Sequence, residues 1–133
     1  MNKNSGFTLV ELLAVITILG LLLTIAVPKM NNVMNESKRN SFLGEAQAVY
    51  RTAKMKALDL ANEGSGGIID SKGSTKLDMK GNKLDYCVIV DETATITSIT
   101  VSNGTYFIEG GSNFMSLDVT SVTSGNMNSF VCE

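Results

Sequence analysis

The sequence predicts an α+β chain. One long N-terminal helix, membrane-type in its first half and amphipathic in its second, packs on a small antiparallel β-sheet of about four strands. Three observations predict this. Residues 7–27 are apolar apart from Thr8, Glu11, Thr17 and Thr24. Residues 29–62 repeat apolar side chains at three- and four-residue intervals. Beyond residue 84, short β-branched and aromatic runs are separated by turn residues.

The 133 residues suit one compact domain with an appended element. Eleven basic and 13 acidic side chains give a net charge of −2, so no basic excess points to a nucleic-acid partner. The chain has no His, which excludes a Ser-His-Asp triad, a Cys-His pair and a His-ligated metal within it. No motif supports a Ser-Lys or paired-carboxylate enzyme. Asp70, Asp78, Asp85, Asp91, Glu92, Asp118 and Glu133 are scattered, without a D-x-D-x-D-G calcium pattern. They read as solvated acids. No catalytic residue, cofactor or metal is expected.

As a helix, residues 7–27 would run about 32 Å at 1.5 Å per residue, enough for a hydrocarbon core of roughly 30 Å. A soluble core helix would show a polar face, and this run shows none over several turns. The apolar part is too long for a cleaved secretory signal, and Thr24-Ile25-Ala26 is a poor cleavage site with Pro28 close behind. Charge counting sets Lys3 and the amino terminus against Lys29, Lys38 and Arg39. By itself it mildly disfavours export of the C-terminal part.

The stretch "SGFTLVELL", residues 5–13, outweighs that count. It resembles the N-terminus of type IV pilins and of the related pseudopilins, and Pro28 falls where many members carry a proline. The resemblance covers the first 28 or so residues. It implies cleavage between Gly6 and Phe7 by a prepilin peptidase, followed by N-methylation of Phe7. It implies a leader at 1–6 and a transmembrane and filament-core helix at 7–28; the residues beyond read, from their own pattern, as an amphipathic helix at 29–62 and a loop and C-terminal sheet at 63–133. Residues 29–133 would form the head.

A carboxylate near a bilayer centre costs about 2.5–3.5 kcal/mol on insertion scales. Glu11 escapes part of this, being one turn from Phe7 and near the positive end of the helix dipole. Cleavage would create an ammonium at Phe7. The resemblance implies that Glu11 neutralises the Phe7 amine of a neighbouring subunit and so fixes axial register, since a purely apolar bundle lets helices slide. The competing reading is an acid that snorkels to the interface. Pro28 removes a backbone hydrogen bond and clashes with the carbonyl four residues back. It reads either as a helix boundary or, with Gly20, as a stretch softened so that a filament can unwind it.

In the second half of the helix, Met30, Val33, Met34, Phe42, Ala46, Val49, Tyr50, Ala53, Ala57, Leu58 and Ala61 form an apolar stripe. The methionines read as core filler. Asn31, Asn32, Asn35 and Asn40 weaken the start of this half. Asn62, Gly64, Gly66 and Gly67 stop the helix. At full helical rise, residues 7–62 would form a stick of roughly 84 Å.

Residues 63–84 read as loop. "DYCVIVD" reads as a central strand, apolar on both faces. "TITSITV" and "TYFIE" read as a hairpin with Asn103-Gly104 in a type I′ turn, and with a bulge near Ser98. "FMSLDVTSV" reads as a fourth strand with Met115, Leu117 and Val119 on one face. The four make a meander on the helix.

Cys87 and Cys132 do not form a C-x-x-C motif. Composition leaves buried thiols and a disulfide both open. An exported head favours the bridge, worth roughly 4 kcal/mol by loop closure, and many pilins carry similar C-terminal loops.

The resemblance therefore implies a non-enzymatic pilus subunit, held in the cytoplasmic membrane with its C-terminal part outside and then assembled into an extracellular helical homo-oligomer for adhesion, twitching motility or related surface roles. Its partners would be the prepilin peptidase and N-methyltransferase, the assembly ATPase, the inner-membrane platform and the membrane itself, with no specific nucleic acid. A pseudopilin of a type II secretion or competence system shares the N-terminal features. The expected bridge, the short leader and the absent calcium pattern favour the pilin. A monomeric membrane-anchored binding protein is the reading from another class, and Glu11 with Gly6-Phe7 argues against it.

Overall fold

The computed structural model describes residues 6–80, 83–125 and 132. Leader residues 1–5 and Glu133 lie outside the described residues. The chain divides into two compact units, Met1–Ser37 and Lys38–Glu133.

One helix, α1, runs from Leu9 to Asn62 and continues through Pro28. Its stop is built locally. Gly64 takes φ +75°, its N–H donates to the Ala61 carbonyl, and the Ser65 N–H donates to the Leu60 carbonyl. This is a Schellman cap, which needs a left-handed residue that glycine supplies without steric cost.

Five strands follow, paired antiparallel in sequence order. They are β1 (Gly67–Asp70), β2 (Asp85–Val90), β3 (Ile96–Ser102), β4 (Tyr106–Gly110) and β5 (Thr123–Ser124). The register pairs Ile69 with Val88 and Val88 with Ile99, and Tyr86 with Val101 and Val101 with Ile108. All of these are buried and make the sheet's contribution to the core. In the same unit, α1 contributes Phe42, Ala46, Val49, Tyr50, Ala53 and Ala57 to that core. Small alanines at helical spacing let the sheet approach closely. Two aromatic pairs close the packing: Phe42 with Tyr106 at 6.0 Å, and Tyr50 stacked on Phe114 at 5.6 Å.

The α+β class, the meander, β2, the β3–β4 hairpin and the helix stop match the sequence reading. The bulge does too: Ile89 pairs with Ser98 but Val90 with Ile96, so Thr97 is the extra residue.

Four expectations need correction. The stretch 63–84 contains β1, a strand whose two isoleucines are too few to show an alternation. "FMSLDVTSV" forms two 3-10 turns, Phe114–Ser116 and Val119–Ser121, instead of a strand. The Asp118 carboxylate accepts the Thr120 N–H at 2.8 Å, and such local side-chain bonding competes with a ladder. Met115 is exposed there, while Phe114 and Val122 enter the core. The hairpin turn is not type I′, which needs two positive φ values. Only Gly104 has one, at +85°, while Asn103 Oδ1 accepts the N–H groups of Thr105 and Tyr106 at 3.0 and 2.9 Å. Finally, Met30, Val33, Met34, Met55 and Leu58 are all more than half exposed, so these methionines do not fill the core and the buried stripe begins at Phe42.

Candidate functional site: the N-terminal segment and the disulfide

Every large apolar side chain from Phe7 to Val27 is exposed, from 48% at Val15 to 87% at Phe7. Among the described residues nothing covers this run. Its helix is long and apolar enough to cross a membrane. The polar side chains within it are bonded inside the helix. The hydroxyls of Thr17 and Thr24 donate to the carbonyls of Ala14 and Leu21 at 2.8 and 2.7 Å. Satisfying donors within the segment is what a hydrocarbon surrounding demands.

At the start of α1, Thr8 and Glu11 bond reciprocally. The Thr8 N–H donates to Glu11 Oε2 at 2.8 Å, and the Glu11 N–H donates to Thr8 Oγ1 at 3.3 Å. The Thr8 carbonyl takes the Leu12 N–H at 3.2 Å. This is a capping box, and it gives Glu11 a partner within its own chain. Sequence reasoning missed this role of Thr8, although the T-x-x-E spacing was readable. A carboxylate offers about four lone-pair sites, so one cap bond leaves capacity for a further donor.

Gly6 and Phe7 lie just before the helix, both exposed. Gly20 has open space where a side chain would stand. Pro28, inside continuous helix, cannot donate to the Thr24 carbonyl.

In the other unit, Cys87 and Cys132 are joined, with Cα atoms 5.7 Å apart. Cys87 alternates with Tyr86 and Val88, which belong to the core, and pairs with Thr100. The bridge therefore ties residue 132 to the sheet face turned away from α1. On the loops, the Asp91 carboxyl is held below its ordinary value, chiefly by the Thr93 hydroxyl and then by the Thr95 N–H. Asp118 is held down likewise by the Thr120 hydroxyl and N–H. No group of three or more acidic or thiol side chains converges as a metal site among the described residues.

This arrangement defines a class: a chain with an exposed apolar helix carrying one capped acid, joined to a disulfide-closed α+β unit. Residues 1–27 match the family described as the prokaryotic N-terminal methylation motif. The chain is 42% identical over 48 residues to fimbrial protein Q of Moraxella bovis, covering 36% of this chain and 31% of that relative. It is 37% identical over 75 residues to the type IV major alpha-pilin of Moraxella bovis, covering 56% of this chain and 45% of the relative. The chain thus spans less than half the length of the curated relatives it matches. No solved structure matches it. These findings support the type IV pilin-like family.

Proposed function

We propose that this chain is a structural subunit of a type IV pilus. The observation that carries the reading is the uncovered apolar run 7–27, whose only charged side chain, Glu11, is the fifth residue after the Gly6–Phe7 bond of a methylation motif. Hydrolysis of that amide leaves a carboxylate on Gly6 and an ammonium on Phe7; after losing a proton, the Phe7 nitrogen takes a methyl group from an electrophilic methyl donor, whose demethylated remainder leaves, and the product is again a cation. In the membrane, the capping box keeps Glu11 partly compensated. In the filament, the remaining lone pairs of Glu11 accept the Phe7 ammonium of a neighbouring copy. The apolar faces then exchange lipid for one another, and the charge pair selects the register.

Pro28 leaves the Thr24 carbonyl without its helical donor, and Gly20 adds backbone freedom. The stretch between them is where the helix yields as a copy leaves the bilayer. An assembly ATPase and a membrane platform supply the work of extraction. The filament displays the disulfide-closed sheet for adhesion or twitching motility.

Electron microscopy of sheared surface material, labelled with antibody to residues 38–125, tests this. Labelled helical filaments are expected. A chain that remains wholly in the membrane fraction as monomer contradicts the proposal.

A further inference from the structure

The unit Lys38–Glu133 carries its charge unevenly. After Lys83 the sequence has no lysine or arginine, while Asp85, Asp91, Glu92, Glu109, Asp118 and Glu133 all follow. The sheet register concentrates part of this at one end. Val90 pairs with Ile96 and Ile99 with Gly110, so the β2–β3 turn and the C-terminal end of β4 lie together. The residues after α1 reach the same place: a Cβ at Gly66 would meet the Val90 carbonyl oxygen at 2.7 Å and the Glu92 nitrogen at 3.0 Å. This end therefore gathers Glu63, Asp91 and Glu92. The last turn of α1 has no basic residue, so the negative end of its dipole adds to the field instead of being offset. Glu92 is exposed and makes no ion pair among the described residues.

The opposite end of the sheet carries Lys38 and Arg39, and Asp85, which pairs with Ser102 there, is already held by Lys72 at 3.7 Å. Ser102 pairs with Phe107 just before the β3–β4 turn, and Phe107 pairs with Thr123. Arg39 donates to Ser124 Oγ there at 3.0 Å. Exposed Lys38 lines a groove with Ser41, Phe42, Asn103, Thr105 and Tyr106. Glu45 borders the same groove but is already partnered. Along α1, Lys38 and Asn62 are separated by roughly 36 Å of helical rise, so the two ends do not neutralise each other within one copy at physiological screening.

We propose that this polarity is an assembly contact: the Asp91–Glu92 turn of one copy docks on the Lys38 groove of a second copy of this chain, with Arg39 beside it. The occupant is a second copy because the same chain presents both complementary ends. A contact between unlike ends is heterologous, and where its rotation does not close a ring it repeats into an open helical array. Backbone N–H groups of Thr93 and Thr95 and the Thr93 hydroxyl bind Asp91 Oδ1 at 2.7–2.8 Å, which holds the turn in one shape for docking. The contact rests on the filament reading above and adds a specific interface to it.

Charge reversal in full-length chain tests the contact, with filament yield in the sheared surface fraction as the readout. Lys38→Glu and Glu92→Lys are each expected to lower yield at least about fivefold by placing like charges together. The two combined are expected to recover to within about twofold of wild type. Formation of the Cys87–Cys132 bridge on a non-reducing gel reports that each variant has folded. Carbodiimide treatment of wild-type filaments needs no variant and is expected to join Lys38 of one copy to Asp91 or Glu92 of another. Wild-type yield from either single reversal, or cross-links that join Lys38 only elsewhere, overturns this contact and leaves the filament reading standing. Wild-type protein that never forms filaments overturns both.

Discussion

Replacing Cys132 by serine removes the constraint that the disulfide places on the unfolded chain and leaves the apolar core untouched. The bridge closes 45 residues. In the chain-entropy treatment, that loop costs the unfolded state about 13 cal/mol/K, or ~4 kcal/mol at 25 °C. Little else changes, since Cys87 lies outside the core cluster and a free thiol behaves as a small apolar group. Domains of this size are stable by about 5–15 kcal/mol in all, so the loss is a large share. At roughly 4–8 °C per kcal/mol, Tm should fall by about 15–30 °C. The measurement is urea denaturation of the detergent-solubilised full chain, followed by tyrosine fluorescence. The chain has no Trp, and Tyr50, Tyr86 and Tyr106 all lie in or against the head's core, so the signal reports that unit alone. Reduced wild type and Cys132→Ser should share one midpoint, well below that of the oxidised protein. A loss under about 1 kcal/mol with an unchanged m-value would refute the loop-closure reasoning.

Glu11→Gln should leave Gly6–Phe7 cleavage intact, as judged by gel mobility and mass, while filament yield drops several-fold; normal filaments from this variant would remove the register role. Phe114→Ala deletes a fully buried ring stacked on Tyr50 and should cost about 3–5 kcal/mol in urea denaturation; a cost under about 1 kcal/mol would show that the β4–β5 connection does not anchor on α1. Asp91 and Asp118 are held below the ordinary carboxyl value of 3.8, first by the hydroxyls of Thr93 and Thr120. A folded pKa below the unfolded one stabilises above the unfolded value and is lost as pH falls through the folded one. The urea midpoint should therefore be flat from about pH 8 to 5 and fall below about pH 4, and the fall should be shallower in Asp91→Asn/Asp118→Asn; an equal fall in that variant counts against these two groups.

Much of this fold was legible because long-range order and local pattern agree. Phe42, Ala46, Val49, Tyr50, Ala53 and Ala57 show helical spacing in the sequence and form the buried stripe. The alternation of β3, and its slip beside Ser98, survived as strand and bulge. The failures have physical causes. β1 is only four residues long and owes its place to pairing with β2, which no local pattern encodes. The Phe114–Ser121 stretch alternates like a strand, but Asp118 spends its carboxylate on the local backbone. Met55 and Leu58 continue the helical spacing yet point away from the sheet, because a spacing rule finds a stripe without finding where the partner surface ends. At the N-terminus, the apolar run drew attention to a partner for Glu11 in another copy. The nearer partner, Thr8, stands three residues away in a capping box. That the Asp91–Glu92 turn and the Lys38–Arg39 segment stand at opposite ends of the sheet could not be read at all until the strand register was known.

The central claim is that the Gly6–Phe7 bond is cut and that the exposed helix it releases builds a filament. Mass spectrometry of protein from purified surface filaments tests it directly. A mature chain beginning at N-methylated Phe7 is predicted. An exported chain that still begins at Met1 would contradict it.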